Sequence, residues 1–415
     1  MNQTTDQETT GSGARRAALR MMDAVLRRGE TLDNAAHAAC QGLNSREDKA
    51  LARALAGEGL RWMTDLDALI DSATQQILPE DAKPRAVLRL MLAGWLRLGT
   101  PPHAVVATGL DLLQGGPRRL AHGVFSTLVK RAVTLPEAPT LPARVAERWG
   151  ERGLVVAAGL AVPPPLDLTL RDAAQTEHWA ERLGGISLMP GHVRLARGSA
   201  VEKLDGYDEG AWWVQDLAAS IPARLIGAGT GRALDLCAAP GGKTMQLAAQ
   251  GWDVTALDLS AKRLKVVEEN LKRTGLSAEC VTGDGLVWEP EGGFDAILID
   301  APCTATGTAR RHPDVLHRIG PRQIADMADV QARLIERAAG WLNPGGRLVY
   351  AVCSLEREEG RDQAAAVTGL VDEPVSGADL PVGVAPTSEG WVKTDPGMLA
   401  DVGGLDGFFV ARWKK

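Results

Sequence analysis

The sequence predicts a multidomain protein with an all-α amino-terminal domain, a small α+β linker module and a carboxy-terminal α/β domain on a mostly parallel, doubly wound sheet. Three observations support this prediction. Apolar residues recur at helical spacing in the first third of the chain, prolines cluster after it, and strand-length apolar segments alternate with helical segments in the second half. The 415 residues also exceed one ordinary core, so two or three domains are expected.

The amino-terminal part divides into a tail and a helical domain. Residues 1–12 are polar and lack the apolar core of a signal peptide, so a loose tail is predicted there. In residues 13–135, the spacing of Leu19, Met22 and Leu26 is typical of one buried helix face. We therefore predict a domain of several short helices over residues 13–135.

Prolines mark the end of the helical domain. They begin at Pro136, and residues 136–205 are predicted to form a linker and a small α+β module. Within this module, Arg144 to Leu160 has a helical pattern. Short strands are predicted at Leu166–Leu170 and His192–Leu195.

Residues 206–415 alternate between strands and helices, which is the pattern of a parallel, doubly wound sheet. The predicted strands are Arg232–Cys237, Val254–Asp258, Phe294–Asp300 and Arg347–Cys353. Ligands of such sheets bind at the carboxyl ends of the strands. Each predicted strand closes on a polar or reactive residue, so functional side chains are expected at Cys237, Asp258, Asp300 and Cys353.

The composition argues against several classes of protein. Five cysteines without a C-x-x-C pair argue against a disulfide scaffold and a structural zinc site, so no metal is predicted. The longest apolar run, Leu154 to Val162, is too short to span a bilayer. We therefore expect a reduced cytoplasmic enzyme, monomeric and without a membrane partner.

The net charge of −6 is unevenly distributed. Residues 206–415 carry −8, whereas residues 1–140 carry +2. A segment without acids, Gln114 to Arg131, contains Arg118, Arg119, Lys130 and Arg131. Such a basic face either binds the phosphates of a nucleic acid or is a solvated helix surface.

The first chemical motif is a glycine-containing turn that opens a helix, where backbone N–H groups can approach a ligand. A P-loop would need glycine at Cys237, and the G-x-G-x-x-G of a dinucleotide site is absent. We therefore predict that the turn binds S-adenosylmethionine, with a P-loop nucleotide hydrolase as the alternative. The residues assigned to the cofactor are Cys237, Ala238, Ala239, Pro240, Gly241, Gly242 and Lys243.

Two aspartates support the choice of S-adenosylmethionine. Asp258 closes the second strand, where a carboxylate can hold the ribose hydroxyls, and Asp284 follows the third strand, where it could contact adenine. Each aspartate could instead be a helix cap or a turn residue. Because both aspartates follow successive strands of the predicted sheet, together they favour an S-adenosylmethionine site.

Two further motifs place a cysteine just past a strand end. They are Asp300-Ala301-Pro302-Cys303 and Tyr350-Ala351-Val352-Cys353-Ser354. A lone buried cysteine packs as a small hydrophobic residue, and that interpretation suits Cys40 and Cys280. It suits less well a pair of cysteines at neighbouring strand ends beside a methyl donor.

With these motifs, the chain resembles the bacterial 16S ribosomal RNA cytosine-5 methyltransferases of the NOP2/Sun family. Resemblance covers nearly the whole chain and is most specific over residues 232–360. Mild departures are Thr304 and Val352, where the family usually has serine and threonine. The family's helical domain commonly ends on an asparagine-containing stretch, whereas this chain has residues 124–129, which contain no asparagine, in that place. The matching segments are Leu236–Thr244, Asp300–Cys303, Ala305–Gly307, Arg310–Asp314, Tyr350–Ser354 and Gly404–Phe409.

The resemblance implies a Rossmann-like class I methyltransferase domain, a NusB-like helical RNA-binding domain, S-adenosylmethionine as cofactor and ribosomal RNA as partner. It assigns attack on carbon 6 of the cytosine to Cys353 and product release to Cys303. Asp300 would lie beside the ring or the methyl donor, and Lys243 would orient the donor, contact RNA or be a solvated helix residue. Arg310 and Arg311 are expected to help select the RNA. Transfer RNA as substrate and a non-catalytic RNA-binding factor are the alternatives.

Overall fold

The structure is a computed structural model that describes residues 11–198 and 200–415. The predicted tail therefore lies almost entirely outside the described residues, and Ser12 already begins a helix. The chain divides into two compact units. The first contains the residues up to Ala161 together with Arg311–Arg318, and the second contains Val162–Arg310 and Ile319–Lys415.

The described residues form helices and strands in a regular order. The helices are α1 (Ser12–Arg28), α2 (Leu32–Ala39), α3 (Arg46–Arg61), α4 (Met63–Ser72), α5 (Lys83–Leu96), α6 (Pro102–Gly109), α7 (Gly115–Lys130), α8 (Ala143–Trp149), α9 (Arg152–Leu160), α10 (Thr176–Leu183), α11 (Leu217–Ile226), α12 (Gly242–Ala249), α13 (Ala261–Thr274), α14 (Val315–Arg318), α15 (Pro321–Trp341) and α16 (Arg361–Ala366). The strands are β1 (Leu166–Leu170), β2 (His192–Leu195), β3 (Trp212–Val214), β4 (Arg232–Leu236), β5 (Asp253–Asp258), β6 (Glu279–Thr282), β7 (Phe294–Asp300), β8 (Leu342–Val352), β9 (Val371–Asp372), β10 (Val392–Thr394) and β11 (Phe408–Lys414).

The first unit is helical, as the periodicity of its apolar residues predicts. Helix α1 ends at Arg28, and the next residue, Gly29, adopts a left-handed conformation. Its N–H therefore donates to the carbonyls of Ala24 and Val25 in the last turn. Helix α5 is the central helix, with Leu88 and Leu92 fully buried. The predicted helix over 144–160 is in fact two helices, α8 and α9, because Gly150 adopts a positive φ between them.

The second unit contains a small sheet in addition to the main one. Its strand order is β2-β1-β3, all antiparallel, and β1 and β2 coincide with the predicted strands. The carboxylate of Asp167 lies inside this sheet and accepts two hydrogen bonds from the Arg194 guanidinium, at 2.7 and 2.8 Å. It also accepts from the backbone N–H of Leu217, so the ion pair joins the small sheet to helix α11.

The main sheet has the order β10-β11-β8-β7-β4-β5-β6, with β9 paired to β11. Strands β4 to β8 are parallel, and β10 and β11 are antiparallel additions at one edge. The prediction of a mostly parallel, doubly wound sheet is confirmed. Because the chain leaves β4 toward β5 on one side and β7 lies on the other, the carboxyl ends of these strands line a crevice.

Candidate active site

The turn after β4 is shaped by two residues with positive φ. Cys237 has φ 68°, and its N–H and that of Ala238 both donate to the Leu257 carbonyl of β5, at 2.8 and 3.0 Å. Gly241 has φ 100°, and a Cβ there would lie 2.9 Å from Val267. The N-cap residue of α12, Gly241, has no side chain with which to cap the helix, so the first turn offers backbone N–H groups to a ligand.

Asp258 lies buried at the end of β5 and organises this turn. One carboxylate oxygen accepts a hydrogen bond from the Ala239 N–H at 3.1 Å, and the other accepts from the Ser260 N–H at 2.9 Å. Arg263 lies 3.4 Å from the same carboxylate and also donates to the Ala239 carbonyl. Sequence reasoning missed Arg263, although its position in the first turn of the following helix was a usable signal.

Asp284 lies in the loop after β6, at the same end of the sheet. Its carboxylate accepts from the Leu286 N–H at 2.9 Å, which is the geometry of a local turn. The preceding residue, Gly283, donates its N–H to the Asp258 carbonyl oxygen at 3.1 Å. The structure thus brings the loops of both predicted cofactor aspartates together.

Lys243 and Asp300 form an ion pair of 2.7 Å at the centre of the crevice. Lys243 is only 8% exposed, and its ammonium group lies 5.5 Å from the ring centre of Phe408. Burial lowers the pKa of Lys243, but Asp300, followed by Asp235 and Cys353, outweighs it and raises the pKa above its ordinary value. Lys243 is therefore a charged residue of the site and not a solvated helix residue.

The two predicted catalytic cysteines meet at the ends of β7 and β8. Their sulfur atoms lie 3.4 Å apart. The N–H of Gly307 donates to the Cys353 carbonyl at 3.0 Å, so the loop after Cys303 folds across the end of β8. The hydrogen bond with Cys353, together with burial, raises the pKa of Cys303 well above its ordinary value.

Asp235, in β4 beneath the crevice, is a buried acid that sequence reasoning did not single out. It is fully buried and accepts a hydrogen bond from the Thr244 hydroxyl at 2.5 Å. Its other carboxylate oxygen has no hydrogen-bond partner among the described residues. Burial raises the pKa of Asp235 to about 7.

Arg310 does not lie where RNA could reach it, contrary to our expectation. Its guanidinium is 1% exposed and pairs with Asp406 at 2.7 Å and with Asp216 at 3.2 Å. A third bond runs to the Gly403 carbonyl at 2.8 Å. Motif position could not reveal this role, because the two acids come from distant parts of the chain.

A parallel sheet with a glycine turn after its first strand and carboxylates at the following strand ends defines an S-adenosylmethionine-dependent methyltransferase of class I. Residues 227–414 match the family described as 16S rRNA methyltransferase RsmB/F, and residues 12–115 match the NusB family. The chain belongs to the family of ribosomal RNA small subunit methyltransferase B. The member from Klebsiella pneumoniae is 33% identical over an alignment 431 positions long that covers 96% of this chain and 97% of that protein.

Two solved structures are similar in fold. The crystal structure of PH0851 has a TM-score of 0.71 at 20% identity, and the match covers 97% of this chain and 99% of that one. NSun6 from Pyrococcus horikoshii, solved with the S-adenosylmethionine analogue SFG, has a TM-score of 0.57 at 19% identity. That match covers 66% of this chain and 98% of that one. The described residues contain no helix long and apolar enough to cross a membrane.

Proposed function

We propose that this protein transfers a methyl group from S-adenosylmethionine to carbon 5 of a cytosine in 16S ribosomal RNA. One observation carries the proposal: two cysteine sulfurs lie 3.4 Å apart at the strand ends beside the cofactor turn. Methylation of an oxygen or an exocyclic nitrogen would not require a cysteine nucleophile, whereas carbon 5 of cytosine is too weak a nucleophile to react unaided. The names of the relatives support small-subunit ribosomal RNA as the substrate.

The residues of the crevice fit the cofactor. The turn from Cys237 to Lys243 would accept its amino acid group on the uncapped start of α12. Asp258 would hold the ribose hydroxyls and Asp284 the adenine. When bound, S-adenosylmethionine supplies an electrophilic methyl group at the crevice.

Cys353 acts as the nucleophile in this proposal. Its thiolate adds to carbon 6 of the cytosine, which moves the electrons of the double bond onto carbon 5 and makes that carbon reactive. After carbon 5 is methylated, a base takes its proton. The electrons of that carbon–hydrogen bond re-form the double bond, and the carbon–sulfur bond breaks to release the Cys353 thiolate. Lys243 and Asp300, which form an ion pair in this crevice, would hold the polar edge of the ring through charge-assisted hydrogen bonds.

Cys303 assists the release of the product. Because the neighbouring Cys353 and burial keep the pKa of Cys303 high, Cys303 enters the reaction as a neutral thiol. It lies within hydrogen-bond distance of the Cys353 sulfur and can share a proton with it when the carbon–sulfur bond breaks. The cytosine must be unpaired or flipped out for these groups to reach it.

Bisulfite sequencing of total RNA tests the proposal. RNA from cells with the wild-type protein, cells without it and cells with Cys353→Ala would be compared. We expect one protected cytosine in 16S ribosomal RNA that only the wild-type protein produces. If the cytosine that depends on the wild-type protein lies in transfer RNA, the substrate is transfer RNA and not 16S ribosomal RNA. If no cytosine in any RNA depends on the protein, a non-catalytic RNA-binding factor is favoured.

A further inference from the structure

A single buried carboxylate connects the two cysteine loops. Glu359 lies in the loop after β8 and is completely buried. In the part of the chain that the structure describes, the groups that stabilise its charge are Ser354, Thr304 and Gln331 and include no lysine or arginine, although a buried carboxylate is costly without compensation. What compensates it is a set of neutral hydrogen-bond donors, and those donors come from both cysteine loops.

The donors follow a pattern. One carboxylate oxygen of Glu359 accepts from the hydroxyls of Thr304 and Ser354, the latter at 2.5 Å. The other oxygen accepts from the Thr304 N–H at 2.8 Å and from the Gln331 side-chain amide at 3.1 Å. Thr304 directly follows Cys303, and Ser354 directly follows Cys353.

Two further contacts strengthen this connection. The Gln331 amide also donates to the carbonyl of Pro302, the residue before Cys303, at 2.9 Å. The hydroxyl of Tyr350, in β8, donates to the backbone carbonyl of Glu359 at 2.6 Å. The network is therefore held to the loop of Cys303 on one side and to strand β8 on the other.

We propose that Glu359 is a positioning residue that ties the chain beside Cys303 to the chain beside Cys353 and thereby sets the separation of the two thiols. The inference rests on the proposed function, because the separation matters only if both thiols act on one base. The negative charge of Glu359 has a second consequence. The pKa of Cys303 is raised chiefly by its hydrogen bond with Cys353, then by burial and by the electrostatic effect of Cys353, and Glu359 raises it further.

Position and charge can be separated by substitution. In Glu359→Gln, the amide oxygen can still accept from the Thr304 N–H and the Gln331 amide, while its NH₂ faces two hydroxyls that can rotate to accept. Glu359→Gln therefore keeps the connection and removes the charge, whereas Glu359→Ala removes both. Glu358→Ala, at the exposed neighbouring residue, is the matched control.

The separation of the thiols can be measured without RNA. Phenylarsine oxide binds two thiols at once with loss of water, and peptide mass spectrometry identifies the Cys303–Cys353 bridge. We expect bridging at least about tenfold slower in Glu359→Ala, because two loosely held groups react as if diluted. Glu359→Gln and Glu358→Ala should bridge at close to the wild-type rate.

Binding of S-adenosylmethionine and thermal unfolding are measured on each variant. Binding should stay at the wild-type value in all of them, whereas Glu359→Ala should unfold at a lower temperature because its buried donors lose their acceptor. Should Glu359→Ala fail to fold, Thr304→Val and Ser354→Ala, which each remove one donor, must slow bridging instead. Wild-type bridging in folded Glu359→Ala, or in both donor variants, overturns the inference. Normal bridging behaviour with no methylated cytosine in cells would leave Glu359 in its role and reject only the proposed substrate.

Discussion

The sulfur atoms of Cys303 and Cys353 lie 3.4 Å apart, although fifty residues separate them in sequence. Adjacent parallel strands bring them together, since each cysteine follows the carboxyl end of its strand and β7 pairs with β8. The hydrogen bond with Cys353 and burial raise the pKa of the Cys303 thiol well above its ordinary value. A thiol that keeps its proton suits the role proposed for Cys303, which is to assist release of the product.

Removing each cysteine in turn should separate their roles. Cys303→Ala should still attack the RNA and methylate it, but should then stall as a covalent complex that migrates as a heavier band on a denaturing gel. Cys353→Ala should form no such band, because no thiolate is available to reach carbon 6. Adduct formation in Cys303→Ala should accelerate as pH rises, because only the thiolate reacts.

The reverse pattern of bands would exchange the two roles and leave the reaction class intact. Product formation by both variants with no band in either would reject covalent catalysis. Cys280→Ala, which changes a cysteine outside the pair, is the control and should behave as wild type.

Replacement of Asp258 should weaken the binding of the methyl donor, S-adenosylmethionine. Asp258→Ala removes the acceptor predicted for the ribose hydroxyls and leaves the Ala239 and Ser260 N–H groups without their partner. We expect S-adenosylmethionine affinity to fall by about 1–3 kcal/mol in calorimetry. Asp253→Ala, at the exposed start of the same strand, should have no effect. Wild-type affinity in Asp258→Ala would remove this residue from the cofactor site.

Asp235 should make the stability of the protein depend on pH. Burial raises its pKa from 3.8 to about 7, so between these values the folded protein binds a proton that the unfolded chain has released. The free energy of unfolding therefore falls as pH rises through this window, by up to roughly 4 kcal/mol, and is constant above it. Asp235→Asn, which resembles the protonated acid, should abolish this loss.

Thermal unfolding at pH 5 and pH 8 would measure the effect as the difference between wild type and Asp235→Asn. Asp253→Asn controls for the loss of one carboxylate at an exposed position. Equal pH dependence in the wild type and Asp235→Asn would show that Asp235 is ionised in the folded protein throughout this range.

The basic face of α7 should contribute to RNA binding. Arg118, Arg119, Lys130 and Arg131 are all exposed, although Arg118 and Arg131 also bond backbone carbonyls. Two double variants test this: Arg118→Ala with Arg119→Ala, and Lys130→Ala with Arg131→Ala. Each should weaken RNA binding and reduce the slope of log affinity against log salt concentration by roughly 0.7–0.9 per lost phosphate contact. S-adenosylmethionine affinity should not change.

A control of equal charge is available on another helix of the same unit. Arg46→Ala with Lys49→Ala removes two exposed cations from α3 and should leave the salt slope unchanged. If the two α7 variants also leave the salt slope of RNA binding unchanged, α7 is an ordinary solvated helix surface and the RNA binds elsewhere.

Much of the catalytic domain could be predicted because its information is local. A strand that ends in Asp258 or Asp300 is recognisable from a run of apolar residues, and parallel pairing then places those ends on one edge of the sheet. The meeting of Cys303 and Cys353 followed from the same rule. The helical first unit was likewise visible in the spacing of its apolar residues.

The sequence by itself determined the helical first unit, the strands β4, β5, β7 and the later part of β8, the glycine-containing turn and the pair of cysteines, because each is encoded in a contiguous segment. Only the tertiary structure decided which partners satisfy the buried charges. Arg310 lies between Asp216 and Asp406, and Glu359 collects its donors from Thr304, Ser354 and Gln331. A buried charge must find its compensation wherever the folded chain supplies it, and sequence spacing contains no record of those distant contacts.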